Sequence, residues 1–362
     1  MRVLLVDADS QKGFPNLALM KLSAYYRAKG DQTELIRGIP AGPPLGDYDR
    51  AYISCIFFQN IQRVREYAAN LSCPVEIGGS GGDMMLVLPD EIEHIRPDYS
   101  LYGVGFSLGF TSRGCIRKCG FCIVSEKEGY IHNNAPISEF HNPTHKKLVL
   151  LDNNFLASPR WRENLSYIQE HDLKVNFNQG LDIRLLNDES AGLLRGTKCY
   201  DWQFKKKKIS FAFDSPSYER EVLAGIACLK RAGFSEHQLR DNIMFYILVG
   251  YNTTPEEDLS RVRLLIDNGI GPYIMRYNQN AGPNRILLHL ARWVNRKLYQ
   301  HMDFCDYDYS DSLASYRATF RGSPDPSWPG RGCPQGGYAW ANRQYEEEQQ
   351  EKSNNDTEQE EL

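Results

Sequence analysis

The sequence predicts an α/β protein in two successive parts: a parallel, doubly wound sheet over residues 1–104, then a full or partial (β/α) barrel over residues 105–284. Three observations predict it. Short β-branched or Leu-rich runs alternate with amphipathic helical stretches along most of the chain. Most of these apolar runs end in polar or glycine-rich residues, as at Asp7-Ala8-Asp9, Gly78-Gly79 and Asp214-Ser215-Pro216. The pattern then restarts at Phe110, just ahead of a loop holding Cys115, Cys119 and Cys122.

The elements follow in order. Residues 2–7 read as a first strand, and apolar positions at Leu17, Leu19, Met20, Leu22 and Tyr25 read as a helix that stops at Gly30. Residues 33–36 form a second strand, 51–57 a third, 60–71 a helix, 74–77 a fourth strand and 99–104 a short fifth. Ligands bind such sheets at the carboxyl ends of the strands, where Asp7–Gly13, Ser54 and Gly78–Gly82 fall. The alternative for those glycines is plain turn formation. Beyond Phe110, strands are expected at 147–151, 175–178, 208–213, 243–249 and 272–276. Helices are expected at 159–171, 218–232 and 256–268, the first capped by Ser158 with Pro159 after it. Polar strand ends in such a series face one mouth. A helix over 286–300 opens a C-terminal extension, residues 285–343, that closes the barrel. Residues 344–362 are Glu-, Gln- and Asn-rich and read as a disordered tail.

Bulk properties exclude some classes. Nine cysteines, scattered apart from the triplet, argue against a disulfide framework and for a reducing compartment. Cys55, Cys73, Cys199 and Cys228 read as buried free thiols. The first residues are too short an apolar run for a signal peptide, and no stretch is long enough to span a bilayer, so a cytoplasmic location is the default. Residues 346–362 carry eight acids and Lys352, which leaves the rest of the chain at +3 against an overall −4. That is only mildly basic and gives little support to nucleic-acid binding. The run Lys205-Lys206-Lys207-Lys208 reads either as a solvated loop or as part of a nucleic-acid or partner surface.

The triplet Cys115-Ile116-Arg117-Lys118-Cys119-Gly120-Phe121-Cys122 has the spacing C-x3-C-x2-C, with no fourth cysteine nearby. Thiolates are the ligands of iron–sulfur clusters, and three of them leave one iron of a four-iron cluster open. A structural zinc site needs four protein ligands, and His132 or His141 would have to supply the last. Gly114 and Gly120 suit close backbone approach to a cluster. Arg113, Arg117 and Lys118 either offset thiolate charge or are solvated.

The loop, the aromatic Phe121 before its last cysteine and its place at the head of a (β/α) series resemble the radical SAM (S-adenosylmethionine) superfamily. The resemblance implies a partial (β/α)6 TIM-like barrel in which Cys115, Cys119 and Cys122 ligate a [4Fe–4S] cluster. It implies that S-adenosylmethionine occupies the open iron and is cleaved reductively to a radical that abstracts hydrogen from a substrate. A reductant such as flavodoxin or ferredoxin is implied as partner. Asp152-Asn153-Asn154-Phe155 stands where many members carry a Gly-Gly-Glu turn for the methionyl amine, which points to Asn153 and Asn154. Gln179 and Asp182, with Arg184, and then Asp214 and Ser215, stand at ribose and carboxylate positions. Gly250, with Thr254 and Glu257, resembles the glycine segment near adenine in two branches. The alternative for each is an ordinary cap or turn. Residues 1–104 resemble the Rossmann-like cobalamin-binding domain of one branch, which would methylate if cobalamin binds. The histidine of its Asp-x-His-x-x-Gly loop is missing around Asp7–Gly13, so a domain that has lost the cofactor is an equal expectation. A second cysteine triplet, needed for sulfur insertion, is also missing. A non-catalytic iron–sulfur or zinc protein is the other class. The substrate is not legible.

Overall fold

A computed structural model describes residues 1–10, 14–42, 46–277 and 285–307. These form an α/β structure with parallel sheets. The chain divides into two compact units, one of Met1–Leu185 with Glu189–Ile209, the other of Leu186–Asp188 with the chain from Ser210 onward.

The first unit opens with four strands, β1 (Arg2–Asp7), β2 (Gln32–Arg37), β3 (Arg50–Ser54) and β4 (Val75–Gly78), in the order β2-β1-β3-β4. All three pairings are parallel. β1 is apolar at consecutive positions because both of its faces are covered. Val3 and Leu5 pack with Leu19, Leu22 and Tyr26 of the helix Leu17–Ala28. Leu4 and Val6 pack with Val64 and Tyr67 of the helix Ile61–Ala69 on the opposite face. Asn16 links the first helix to the sheet. Its Oδ1 accepts from Leu19 N at 3.2 Å, and its Nδ2 donates to Ser54 Oγ at 2.7 Å.

Two expected strands differ. The third ends at Ser54 rather than Phe57, because the Asp9 carboxylate accepts the backbone N–H groups of Ile56 and Phe57 and draws them out of the ladder. Residues 99–104 are not a strand. Asp98 caps a 3-10 turn over Tyr99–Leu101, and Gly103 with φ +63° turns the chain after it. The apolar character there serves burial, since the Tyr99 hydroxyl donates to Phe140 O inside the core.

The strand that leads toward the cysteines is β5 (Ser107–Gly109). A hairpin follows, β6 (Ser112–Arg113) against β7 (His132–Asn133). Then come β8 (Lys147–Leu150), β9 (Lys174–Phe177) and β10 (Lys198–Cys199). These make a second sheet in the order β10-β9-β8-β5, parallel throughout. Leu108 and Val149 share one buried cluster with Leu17, Met20 and Tyr99, so the helix Leu17–Ala28 packs against both sheets of this unit. The helix expected at 159–171 is Trp161–Glu170, since Ser158 Oγ accepts from Arg160 N in a turn ahead of it.

In the second unit, β11 (Ile209–Ala212), β12 (Ile243–Val249) and β13 (Gly271–Arg276) lie in that order, with β12 and β13 parallel. The single strand series expected after residue 105 is therefore divided into a four-stranded and a three-stranded sheet among the described residues. The last expected helix is shorter than 286–300. It spans Arg285–Asn295 and is followed by a 3-10 turn, Leu298–Gln300. Most of the extension beyond it and the whole of 344–362 lie outside the described residues.

Candidate functional site

The cysteine loop starts from the carboxyl end of β5 and is closed at its base by the β6/β7 hairpin. Gly114 makes that closure. Its φ is +77°, and a Cβ there would stand 2.6 Å from Tyr130 O and 2.8 Å from Gly129 O. Only glycine combines this conformation with this approach. Cys115 N donates to Gly129 O at 3.2 Å, and Cys122 N donates to Cys119 O at 3.0 Å. Cys115, Cys119 and Cys122 are all partly exposed and outside any disulfide.

Two neighbouring strand ends reach this loop. After β8, three consecutive side chains meet it in order. The Asp152 carboxylate is 3 % exposed and accepts four hydrogen bonds, two each from Thr111 and Ser112. The backbone bonds measure 3.1 Å to Thr111 N and 2.6 Å to Ser112 N. Burial raises the Asp152 pKa above the ordinary carboxylate value, and these four donors oppose that rise. Asn153 Oδ1 accepts from Gly114 N at 3.1 Å. Asn154 Nδ2 lies 3.5 Å from Cys115 Sγ and 3.4 Å from Asp182 Oδ2. After β9, Asp182 accepts from Arg184 Nε at 2.6 Å and from Arg117 Nε at 3.1 Å. Arg117 belongs to the loop itself, and its N–H donates to Cys115 Sγ at 3.3 Å. Burial alone would raise the Asp182 pKa, but Arg184 and then Arg117 outweigh it and hold the carboxyl below its ordinary value.

The structure thus gathers Cys115, Asn153, Asn154 and Asp182. Gln179 is exposed in the turn after β9. Phe121 is half-buried within the loop. Asp214, Ser215, Gly250 and Thr254 belong to the second unit, where each has a structural bond. Asp214 Oδ1 accepts from Leu248 N, and Ser215 caps the turn Pro216–Tyr218. Gly250 N donates to Asp258, and Thr254 forms a capping box with Glu257. Sequence reasoning missed Asp152, Thr111 and Ser112 as a set. The one signal was an acid directly after the apolar run Leu148–Leu151.

Arg113 does not serve the cysteines. It pairs with Glu93 at 2.8 Å and with Glu128 at 3.2 Å, and its guanidinium lies 4.1 Å from the Phe110 ring centre. Lys21, 5 % exposed at its side chain, completes that network on Glu93 at 2.9 Å. His141 is no candidate fourth ligand. It is buried, with its ring nitrogens on Tyr167 Oη and His145 O, each at 3.0 Å. His132 is exposed in β7, its Nδ1 3.0 Å from Tyr130 O. The four-lysine run returns the chain to Tyr200, which bridges Lys207, with Lys205, Lys206 and Lys207 exposed.

Among the described residues, no three His, Cys, Asp or Glu side chains stand together as a set that could hold a metal ion. The chemistry around Cys115 nevertheless fits an iron–sulfur group, because two N–H donors aim at its sulfur. Asn154 adds an observation of its own. It is 4 % exposed, and its Oδ1 has no hydrogen-bond partner among the described residues. A buried acceptor left unpaired is costly.

The amino-terminal sheet fits a cobalamin poorly. Gly79, at φ +97°, and Gly81 press on this chain's own backbone, where a Cβ would meet Cys55 O at 2.4 Å and Phe57 C at 2.5 Å. Asp7 accepts from Tyr102 Oη at 2.7 Å, and Asp9 holds Ile56, Phe57 and Asn60. No histidine stands in residues 7–13 to ligate cobalt.

No protein-family model and no curated protein matches the sequence. No helix among the described residues is long and apolar enough to cross a membrane.

Proposed function

We propose that the chain is a radical SAM-type enzyme whose cysteine loop carries a [4Fe–4S] cluster with S-adenosylmethionine on its open iron. The observation that carries this reading is the convergence at Cys115. A C-x3-C-x2-C loop leaves the carboxyl end of one parallel strand, and the two next strands send Asn153, Asn154 and Asp182 onto it. Carboxyl ends of parallel strands are where α/β proteins place their ligands. We read the region after residue 105 as a partial (β/α)6 barrel and residues 1–104 as a Rossmann-like scaffold. The glycines of that scaffold serve its own packing, so methylation through cobalamin is not proposed.

Cys115, Cys119 and Cys122 would hold the cluster. Together with S-adenosylmethionine it supplies one-electron reductive cleavage of a sulfonium carbon–sulfur bond. Asn154 Oδ1, buried and unpaired, suits the methionyl ammonium. Asp182 and Arg184 present a fixed carboxylate and guanidinium beside it, and Arg117 carries positive charge close to the thiolates. A small reductant of the flavodoxin or ferredoxin kind would deliver the electron.

Anaerobic reconstitution with iron and sulfide tests the reading. The expected result is about four irons per chain, as one four-iron cluster requires, and release of 5′-deoxyadenosine on adding S-adenosylmethionine and dithionite. A full iron complement without 5′-deoxyadenosine would reject the enzyme. Zinc retained through aerobic purification, with no iron uptake, would reject the cluster.

A further inference from the structure

We infer that Asp152-Asn153-Asn154 is a positioning clasp that sets the cysteine loop before any cofactor binds, and that the Asn154 amide tunes the group held at Cys115. The second half rests on the proposed function, and the first stands without it.

Three consecutive side chains bind consecutive stretches of the loop's approach. Asp152 takes Thr111 and Ser112, Asn153 takes Gly114, and Asn154 takes Cys115. The two segments meet in the same order, with Arg113 alone left out, so the stretch that follows β8 acts as a template for residues 111–115. Chemistry explains the choice at the first position. Both backbone N–H groups and both hydroxyls of Thr111 and Ser112 donate toward one buried point. A carboxylate only accepts, and it can take all four. An Asn there would offer one oxygen and set its own NH2 against the donors. No cation contacts Asp152 in any of these bonds. Its partners are four oriented donors, two of them backbone N–H groups.

Asn154 has a different task. Its Nδ2 points at Cys115 Sγ, and hydrogen bonds to cluster sulfurs are one of the levers by which a protein sets reduction potential. A donor on sulfur stabilises the more negative, reduced state. Losing it moves the potential downward.

Two measurements test the inference on the full chain. In the protein without iron, amide hydrogen exchange of residues 111–115 should quicken at least about tenfold in Asp152→Asn, the response of a locally opened segment. Thr111→Val and Ser112→Ala, which keep the carboxylate and remove one hydroxyl each, should give smaller increases if Asp152→Asn fails to fold. Exchange equal to wild type in these variants would overturn the clasp. After reconstitution, Asn154→Leu should keep its iron and show a cluster potential more negative than wild type in an EPR-monitored redox titration. An unchanged potential with full iron would overturn the tuning role. If wild type takes up no iron, the proposed function and the tuning role both fail, and the exchange measurement still decides the clasp.

Discussion

Gly114→Ala is the sharpest perturbation of the loop, because its cost can be built from two separate terms and each has a control. At φ +77° an alanine sits in the left-handed region, which costs about 1–2 kcal/mol. The new Cβ would also stand 2.6 Å from Tyr130 O and 2.8 Å from Gly129 O. Both are backbone atoms and cannot swing aside, so overpacking adds roughly 1–3 kcal/mol. The sum is about 2–5 kcal/mol. Gly129 has φ +72° with nothing within 4 Å of its Cβ position, so Gly129→Ala isolates the first term. Gly192 lies in the helix Asp188–Gly196, also with open space around it, and Gly192→Ala should stabilise by about 0.5–1 kcal/mol. All three glycines belong to the first unit, so urea unfolding followed by circular dichroism reads them through the same core. The expected order of midpoints is Gly192→Ala above wild type, then Gly129→Ala, then Gly114→Ala. Equal losses at Gly114 and Gly129 would show that the loop base gives way freely, and would refute the close approach.

Other outcomes follow from the same structure. Replacing Cys115, Cys119 or Cys122 by Ala should abolish iron retention, whereas Cys199→Ala should keep it; equal loss at Cys199 would mean the ligands are wrongly assigned. Burial pushes the Cys199 thiol up to about 12, so iodoacetamide at pH 8 should leave it unmodified until urea is added, as peptide mass analysis would show. Burial works against the Glu93 charge, but Arg113 and Lys21 outweigh it and hold the pKa below its ordinary 4.5. Stability from this group is therefore present above pH 4.5 and lost as pH falls through the lower folded value. Glu93→Gln should cost roughly 2–4 kcal/mol at pH 7, the buried-pair range reduced for partial exposure of Arg113. It should also flatten the acid limb of a stability-versus-pH curve, and an unchanged limb would remove Glu93 from the account. Leu165→Ala, at a position of 0 % exposure, should cost about 2–5 kcal/mol by the same urea assay.

What the sequence made legible were features with one physical cause. β1 reads as a buried strand because Val3, Leu4, Leu5 and Val6 have no solvent face, so hydrophobicity alone reports their position. Thr254-Pro255 with Glu257 reads as a helix start because its capping box is local. Residues 99–104 misled because two causes overlap there. Tyr99 and Leu101 are apolar because they pack with Leu108 and Val149, while Asp98 and Gly103 make the chain turn. Asp182 was recognisable as a polar strand end with Arg184 beside it, but its partner Arg117 was not, since it is 65 residues away. The dipole-held Asp152 was invisible for the same reason, its donors standing 40 and 41 residues upstream.

That long-range wiring bears on how an irregular loop is held still. Ordering one residue of backbone costs about 1–2 kcal/mol, and the run from Gly114 to Ile131 has little regular structure to offset it. The short helix Val124–Lys127 supplies part of what is needed, and the β6/β7 hairpin ties the ends. Neither acts on Cys115 directly. The side chains that do are Asn154 and, through Arg117, Asp182, each projecting from the end of a strand already buried in the core. A loop anchored to strand ends inherits their rigidity, whereas one anchored only to itself would not. Positions outside the loop therefore help to hold Cys115, and variants there should alter the cysteines' behaviour while leaving every cysteine in place.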